Sequence, residues 1–281
     1  MNEYPIFVPF GQEHLAAIVT VPEEQPTSVV LFLQGLGAPR SHRYGLWKKT
    51  AHGLAERGLA SVRLDYPQLG DSTGVFRAEM ETPPVEEARA ALDTARDALG
   101  VERFGVIGNC MGLLAGFELA ATEPACASVG CFLTDPPRGI IVDRSTPSYQ
   151  LAARRMSRKV PSLRRFASQF VHVRKGSFRH GLTPEVARTM RSCSMLFLLV
   201  GSPETGRRLG EHVNRLREQI GVGTDRRVDV QTVVADGTEL LQIPLQAHPQ
   251  VVDAFVTWMS ETLSAPAGED ARIDSAEGLP A

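Results

Sequence analysis

Short apolar runs alternate along this chain with longer stretches that carry helical periodicity. The runs predict strands at Leu15–Val21, Ser28–Leu33, Ala60–Leu64, Phe104–Ile107, Ser128–Leu133, Met195–Val200 and Val228–Val234. The periodic stretches predict helices at Leu46–Arg57, Pro84–Leu99, Leu113–Ala121, Thr205–Arg217 and Val251–Leu263. Strands that alternate with helices indicate an α/β fold, with a doubly wound, mostly parallel sheet. Ligands of such sheets bind beyond the carboxyl ends of the strands.

The alternation lapses in one long segment, residues 138–191, which is rich in basic side chains. They are Arg154, Arg155, Arg158, Lys159, Arg164, Arg165, Arg174, Lys175 and Arg179. One interpretation is the solvated face of two amphipathic helices. The other is a docking surface for an anion, such as a substrate carboxylate, a coenzyme A phosphate or an acidic acyl carrier protein.

The domain organisation follows from these patterns. We predict a core of residues 1–137 and 192–263, and a small, basic helical cap of residues 138–191. Residues 264–281 are rich in Ala, Pro, Gly, Glu and Asp, which is typical of a disordered tail.

Composition narrows the class of protein. The chain of 281 residues has a formal net charge of −2 and a pI near 6.4, which argue against a nucleic-acid partner. No apolar run approaches the roughly 20 residues that span a membrane, and the N-terminus does not resemble a signal peptide. The four cysteines form no C-x-x-C pair and show no metal-ligand spacing. We therefore expect a cytoplasmic protein with reduced thiols, no metal, no cofactor and no membrane partner.

Gly108-Asn109-Cys110-Met111-Gly112 is the strongest chemical signal in the sequence. It stands between a predicted strand and a predicted helix, with the cysteine at the apex of the turn. The glycines allow strand and helix to approach closely at a strained turn. The positive end of the helix dipole favours a thiolate at this position. A buried cysteine in an ordinary turn between strand and helix is the alternative interpretation.

Four segments together resemble the α/β-hydrolase superfamily: Val29–Gly37, Leu64–Ser72, Gly105–Gly116 and Leu196–Glu204. The resemblance spans residues 15–263 and implies the α/β-hydrolase fold with a cap over the active site. Within that superfamily, G-x-C-x-G resembles the nucleophile elbow, with sulfur in place of the usual serine oxygen. A cysteine at the apex is similar to dienelactone hydrolases and to thioesterase-like enzymes of secondary metabolism.

The resemblance assigns roles near the elbow. Cys110 is the expected nucleophile. The backbone N–H groups of Leu36 and Met111 are the expected oxyanion hole.

The loop that follows the second predicted strand carries polar side chains. Gln34 stands where the family often has His, and it either braces the loop or touches substrate. We take Gln34, Arg40 and Arg43 as candidate substrate-binding residues.

The acid of a triad usually follows the strand after the cap. Glu204, in Gly201-Ser202-Pro203-Glu204, is our first choice, and a charge at a helix start is the alternative. Asp135, after the strand that follows the elbow, is the second choice for the acid, although Asp-Pro-Pro is also an ordinary turn.

The base is less well defined by the sequence. His248 precedes the last helix and is the expected general base, but His248-Pro249 also resembles an inert helix start in this family. No His follows the last strand directly, which leaves Glu239, Asp236 and His42 as alternatives. A solvent-facing helix start is the alternative interpretation of His42.

The sequence is compatible with three functions. The first is an enzyme that acts on an ester, lactone or thioester through a thioacyl intermediate on Cys110, by hydrolysis or acyl transfer. Its partners would be a small acyl substrate or an acyl carrier protein. The second is a lyase, in which Glu239 or Glu204 removes a proton and the acyl group leaves as a carboxylate. The third is a non-catalytic binding protein on a degenerate hydrolase fold.

Overall fold

The computed structural model of the chain describes residues 1–35, 38–74, 83–134, 184–222, 226–235 and 243–264. Within these ranges, one sheet is covered by helices on both faces. Its strands are β1 (Asn2–Phe10), β2 (Glu13–Val21), β3 (Val29–Leu33), β4 (Ala60–Leu64), β5 (Phe104–Asn109), β6 (Cys126–Thr134), β7 (Ser194–Gly201) and β8 (Val228–Val234). The helices are α1 (Leu46–Glu56), α2 (Val85–Leu99), α3 (Cys110–Thr122), α4 (Pro184–Ser192), α5 (Pro203–Ile220) and α6 (His248–Ser264). Short 3₁₀ turns, Arg43–Gly45 and Leu245–Ala247, precede α1 and α6.

The strand order across the sheet is β1-β2-β4-β3-β5-β6-β7-β8. β2 pairs antiparallel with β1 and with β4, whereas all the other pairs are parallel. The predicted doubly wound, mostly parallel sheet is therefore confirmed. β3 and β5 lie side by side near the centre of the sheet, so the loops that follow them meet at its carboxyl edge.

Strand β1 is absent from the sequence-based prediction. It forms a nine-residue hairpin pair with β2, from Asn2 opposite Val21 to Phe10 opposite Glu13. Pro5 and Pro9 lie within it, and proline lowers the strand propensity of a segment. The prolines are tolerated because β1 is the last strand at its end of the sheet, where one edge needs no hydrogen-bond partner.

The two faces of the sheet carry separate apolar clusters. Along β3, Leu31 and Leu33 enter the cluster beneath α2 to α5, whereas Phe32 enters the cluster beneath α1 and α6. The second cluster is rich in aromatic rings, and its Trp258 indole N–H donates to Ser128 Oγ at 2.9 Å. Each large side chain that is buried in this way contributes about 1.5–3 kcal/mol to stability.

Helix α4 lies largely within the range predicted for the cap, and it packs against α3. Its Val186 and Met190 are buried in the cluster with α3, and Thr189 Oγ1 donates to the carbonyl of Phe117 at 3.2 Å. Residues 184–191 therefore pack as part of the core layer. The rest of the predicted cap and tail, residues 138–183 and 265–281, lies outside the described ranges.

The described helices include none that is both long enough and apolar enough to cross a lipid bilayer.

Helix α3 approaches the end of β3 at backbone distance. A Cβ at Gly112 would meet the carbonyl oxygens of Leu33 and Gln34 far inside van der Waals contact. A Cβ at Gly108 would lie 3.0 Å from the Cα of Leu113. These two glycines are therefore required by the packing of the turn at Cys110.

We expect Gly112→Ala to lower the free energy of unfolding by about 3 kcal/mol, because the added methyl group forces α3 away from backbone atoms that cannot yield. Urea unfolding followed by circular dichroism measures the change. Gly210→Ala in α5 is the matched control, since nothing outside its own helix lies within 4 Å of the new Cβ. The control should be neutral or stabilising by about 0.5–1 kcal/mol. Equal stability of the two variants would contradict the close packing of α3.

Candidate active site

Cys110 occupies the apex of the turn between β5 and α3. It is the first residue of α3, its side chain is exposed, and its φ is +52°. A non-glycine residue in this left-handed region is strained, and such strain clusters at functional sites. The strand, turn and helix predicted around Cys110 are therefore present, and the thiol is not buried in the core.

The other three thiols differ from this one. Cys126, Cys131 and Cys193 are buried in the apolar cluster beneath α2 to α5. Burial raises the pKa of the Cys131 thiol well above its ordinary value, which makes that thiol unreactive. Only Cys110 combines exposure with a position at the start of a helix.

The loop after β3 lies directly against the elbow. A Cβ at Gly35 would be 3.0 Å from the Cβ and 3.6 Å from the Sγ of Cys110. The Gly35 N–H donates to Asn109 Oδ1 at 2.9 Å, so the loop and the elbow are joined by a buried hydrogen bond. Leu36, the expected oxyanion donor in this loop, lies outside the described residues. Met111 lies in the first turn of α3, where backbone N–H groups lack intrahelical acceptors.

Gln34 is completely buried at the beginning of the same loop. Its side-chain amide donates to the carbonyl of Leu64 at the end of β4. This contact favours the first of the two sequence-based interpretations, in which Gln34 braces the loop.

Arg40 is engaged in ion pairs within the protein. Its guanidinium pairs with Asp65, whose side chain is 1% exposed, and with Asp71 at 2.7 Å. Its backbone N–H also donates to Asp65 Oδ1 at 2.8 Å. These contacts fix Arg40 to the end of β4. That Arg40 binds substrate stays a prediction. Arg43, by contrast, is exposed in the 3₁₀ turn before α1.

His42 is buried, although the sequence left open a solvent-facing position. Its ring packs against Trp47 at a centroid distance of 4.8 Å and against the edge of Phe132 at 6.0 Å. Its backbone also adopts a left-handed conformation, with φ +58°. Burial lowers the pKa of His42 to about 4, with contributions from Arg43 and His248, so its imidazole is neutral at pH 7.

His248 begins α6 and is near enough to His42 to influence its pKa. It is buried, its ring centroid is 6.2 Å from that of Tyr44, and it contributes to the lowered pKa of His42. Burial, with help from Lys49, lowers the pKa of His248 below its ordinary value, while a hydrogen bond with the Ile243 carbonyl opposes that shift. Its Nδ1 has no hydrogen-bond partner among the described residues.

The histidine pair is connected to the elbow through the sheet. Phe132, which contacts the His42 ring, is the register partner of Asn109, and Asn109 directly precedes Cys110. The structure therefore places the His42 ring against a residue whose neighbour in the sheet directly precedes Cys110.

Glu204 lies apart from this group, on the surface. It is in the first turn of α5, with its side chain 53% exposed, and it pairs with Arg207 and Arg208 of the same helix. Hydrogen bonds from these two arginines lower the pKa of Glu204. These contacts favour the interpretation of Glu204 as a charge at a helix start, and they do not support a triad acid. Asp135, Asp236 and Glu239 lie outside the described residues.

Solved structures identify the architecture around this site. An esterase from Pyrococcus furiosus matches with a TM-score of 0.61 and 15% sequence identity, covering 92% of this chain and 91% of its own. A dienelactone hydrolase from Anabaena variabilis matches with a TM-score of 0.52 and 17% identity, covering 93% and 98%. The thioesterase domain of the curacin biosynthetic pathway matches with a TM-score of 0.52 and 15% identity, covering 94% and 100%.

The chain has the α/β-hydrolase fold. No protein-family profile and no curated protein sequence matches it. At these levels of identity, the likeness to solved structures concerns the fold alone.

The sequence pattern did not indicate two residues of this candidate site. Asn109 is the variable position of G-x-C-x-G, and its side chain is what joins the elbow to the loop after β3. Tyr66 is buried, and its hydroxyl has no hydrogen-bond partner among the described residues. Burial, with Glu87 and Cys110 nearby, raises the pKa of Tyr66 well above its ordinary value, so the hydroxyl keeps its proton. The position of Tyr66 directly after Asp65 is the only sequence signal for it.

No cluster of three or more potential metal ligands occurs in the part of the chain that the structure describes.

We expect Arg40→Gln to lower the free energy of unfolding by about 2–3 kcal/mol, because it leaves the buried Asp65 carboxylate without its cation. The exposed Arg43 provides the matched control, and Arg43→Gln should change stability by less than about 0.5 kcal/mol. Urea unfolding of both variants at pH 7 measures the difference. Similar small losses in both variants would contradict the structural role of Arg40.

His42 should make stability depend on pH. Its pKa is about 4 in the folded protein and ordinarily 6.5, so between these values only the unfolded chain takes up the proton. Stability therefore decreases as the pH falls through this window. Between pH 7.5 and 5.0 the wild type should lose about 2 kcal/mol more than His42→Gln. Unfolding curves of the two proteins at both pH values test this, and equal losses would contradict a buried, neutral His42.

Proposed function

We propose that this protein is an enzyme that acts on an ester, lactone or thioester through a thioacyl intermediate on Cys110, by hydrolysis or acyl transfer. The observation that carries the proposal is the conformation of Cys110: an exposed thiol at a φ of +52°, at the start of a helix and against the loop after β3. A cysteine without a function has no reason to keep this strained position. The esterase, dienelactone hydrolase and thioesterase domain among the structural neighbours support the same class of chemistry.

The acylation step uses the groups at this edge of the sheet. The Cys110 thiolate attacks the acyl carbon, an S–C bond forms, and the carbonyl π electrons move to oxygen. We propose that the N–H groups of Met111 and Leu36 stabilise the resulting oxyanion. When the oxyanion collapses, the bond to the leaving alkoxide or thiolate breaks, and the leaving group takes the proton that the thiol gave up.

We propose His42 as the base for this step. His248 contributes to the lowered pKa of His42. His42 contacts Phe132, the neighbour of Asn109 in the sheet, and it is neutral at pH 7. A base with a pKa of about 4 accepts a proton from water inefficiently. A thiolate needs little help to become acylated, whereas hydrolysis of the thioacyl group needs an activated water. The pair therefore favours transfer of the acyl group to an acceptor that is a better nucleophile than water.

We propose the acyl donor as a chemical class. A small ester or thioester is the proposed substrate, and a thioester on an acyl carrier protein, from secondary metabolism, is the more specific form of the proposal. The arginines and lysines that would receive an acidic carrier belong to residues 154–179, outside the described ranges.

We expect p-nitrophenyl butyrate to acylate Cys110. Wild-type protein should release a burst of nitrophenolate and gain one butyryl mass, located by peptide mass spectrometry on the peptide that contains Cys110. Cys110→Ala should show neither the burst nor the mass gain, because the nucleophile is absent.

Cys131→Ala serves as the control, since it removes a buried thiol that reagents do not reach, and it should be labelled like the wild type. Circular dichroism and thermal unfolding establish that both variants are folded. Labelling that persists in Cys110→Ala would refute the covalent mechanism. A folded wild type that leaves the ester intact and its thiols unlabelled would favour a non-catalytic binding protein.

A further inference from the structure

Asn109 occupies the N-cap position of α3 but does not cap the helix. Asparagine at an N-cap commonly accepts a hydrogen bond from the second or third backbone N–H of its helix. Here the backbone of Asn109 is extended, as an N-cap residue should be, yet its side chain makes no such bond. Its Oδ1 accepts from the Gly35 N–H at 2.9 Å instead. The first N–H groups of α3, including that of Met111, are thereby left without a side-chain cap.

The same hydrogen bond fixes one side of the loop after β3. On the other side, the Gln34 amide donates to the Leu64 carbonyl, and Arg40 pairs with Asp65. Gln34 and Arg40 are therefore attached to the end of β4, and Gly35 is attached to the elbow. Gly35 allows close contact with the elbow, since a Cβ there would lie 3.0 Å from that of Cys110.

We infer that Asn109 is a positioning residue for acyl transfer: its Oδ1 ties Gly35 to the elbow, and this hydrogen bond holds the backbone around Cys110 in place for the oxyanion that forms when Cys110 attacks. The inference rests on the proposed function of Cys110. Asn109 does not touch the reacting atoms in this scheme. It acts through the Gly35 N–H, and at the same time it leaves the amide of Met111 uncapped.

Two reactions of the Cys110 thiol distinguish a role of Asn109 in oxyanion stabilisation from a role in supporting the fold alone. Attack on p-nitrophenyl butyrate creates an oxyanion at the carbonyl. Alkylation by iodoacetamide displaces iodide from a saturated carbon and creates none. The ratio of the acylation and alkylation rate constants therefore reports on the oxyanion hole, and it cancels changes in the exposure or ionisation of Cys110.

We expect Asn109→Leu, which keeps the size of the side chain and removes the acceptor, to lower this ratio about 10- to 100-fold. Asn109→Asp keeps an acceptor oxygen and should hold the ratio within about threefold of the wild type, even if its added charge slows both reactions. Stopped-flow release of nitrophenolate and mass spectrometry of carbamidomethyl-Cys110 supply the two rate constants.

An unchanged ratio in Asn109→Leu would overturn the inference, and so would a ratio that falls equally in Asn109→Asp. Thermal unfolding accompanies each measurement. If Asn109→Leu does not fold, Asn109→Ala removes the same acceptor without the bulk and carries the same expectation. A wild type that is alkylated at Cys110 but never acylated would overturn the proposed function itself, and this inference with it.

Discussion

The backbone of α3 lies against the carbonyl groups that end β3, and the rest of the site depends on this contact. Gly112 makes it possible, because a side chain there would overlap the carbonyl oxygen of Leu33. With the helix this close to the sheet, the chain can leave β5 only through a sharp turn, which puts Cys110 at a φ of +52°. The strain at this residue is offset by the packing of helix and strand around it. The same approach brings Gly35 and Asn109 within hydrogen-bond distance.

The described arginine and histidine side chains around this edge of the sheet are paired with carboxylates or buried, apart from the exposed Arg43. Arg40 is neutralised by Asp65 and Asp71. Burial keeps the His42 imidazole neutral at pH 7 and lowers the pKa of His248. None of these five groups offers an unpaired positive charge to an anion at the elbow. The backbone N–H groups in the first turn of α3 and the dipole of that helix are fixed in place before any substrate arrives.

The sequence predicted the alternating strands and helices of the sheet, and it predicted the turn around Cys110, whose residues are contiguous in the chain. Buried parallel strands are recognisable as apolar runs, and the elbow is a contiguous pattern of five residues around Cys110. Side-chain contacts between segments that are distant in the chain leave no such pattern in the sequence, so they could not be predicted. Arg40 pairs with a carboxylate 25 positions away, and Asn109 bonds to Gly35 across 74 positions. For Glu204, the spacing along the chain matched a triad acid, but it gave no sign of the ion pairs with the arginines of its own helix.

Three of the four thiols are buried and one is exposed, so a single cysteine is accessible to thiol reagents. Cys126, Cys131 and Cys193 are held inside the fold, so a maleimide dye, a spin label or an electrophilic inhibitor meets one accessible sulfur in the native protein. That sulfur is the proposed nucleophile. Conjugation would therefore need no prior removal of native cysteines, and occupancy of the centre could be read directly as protection from the reagent.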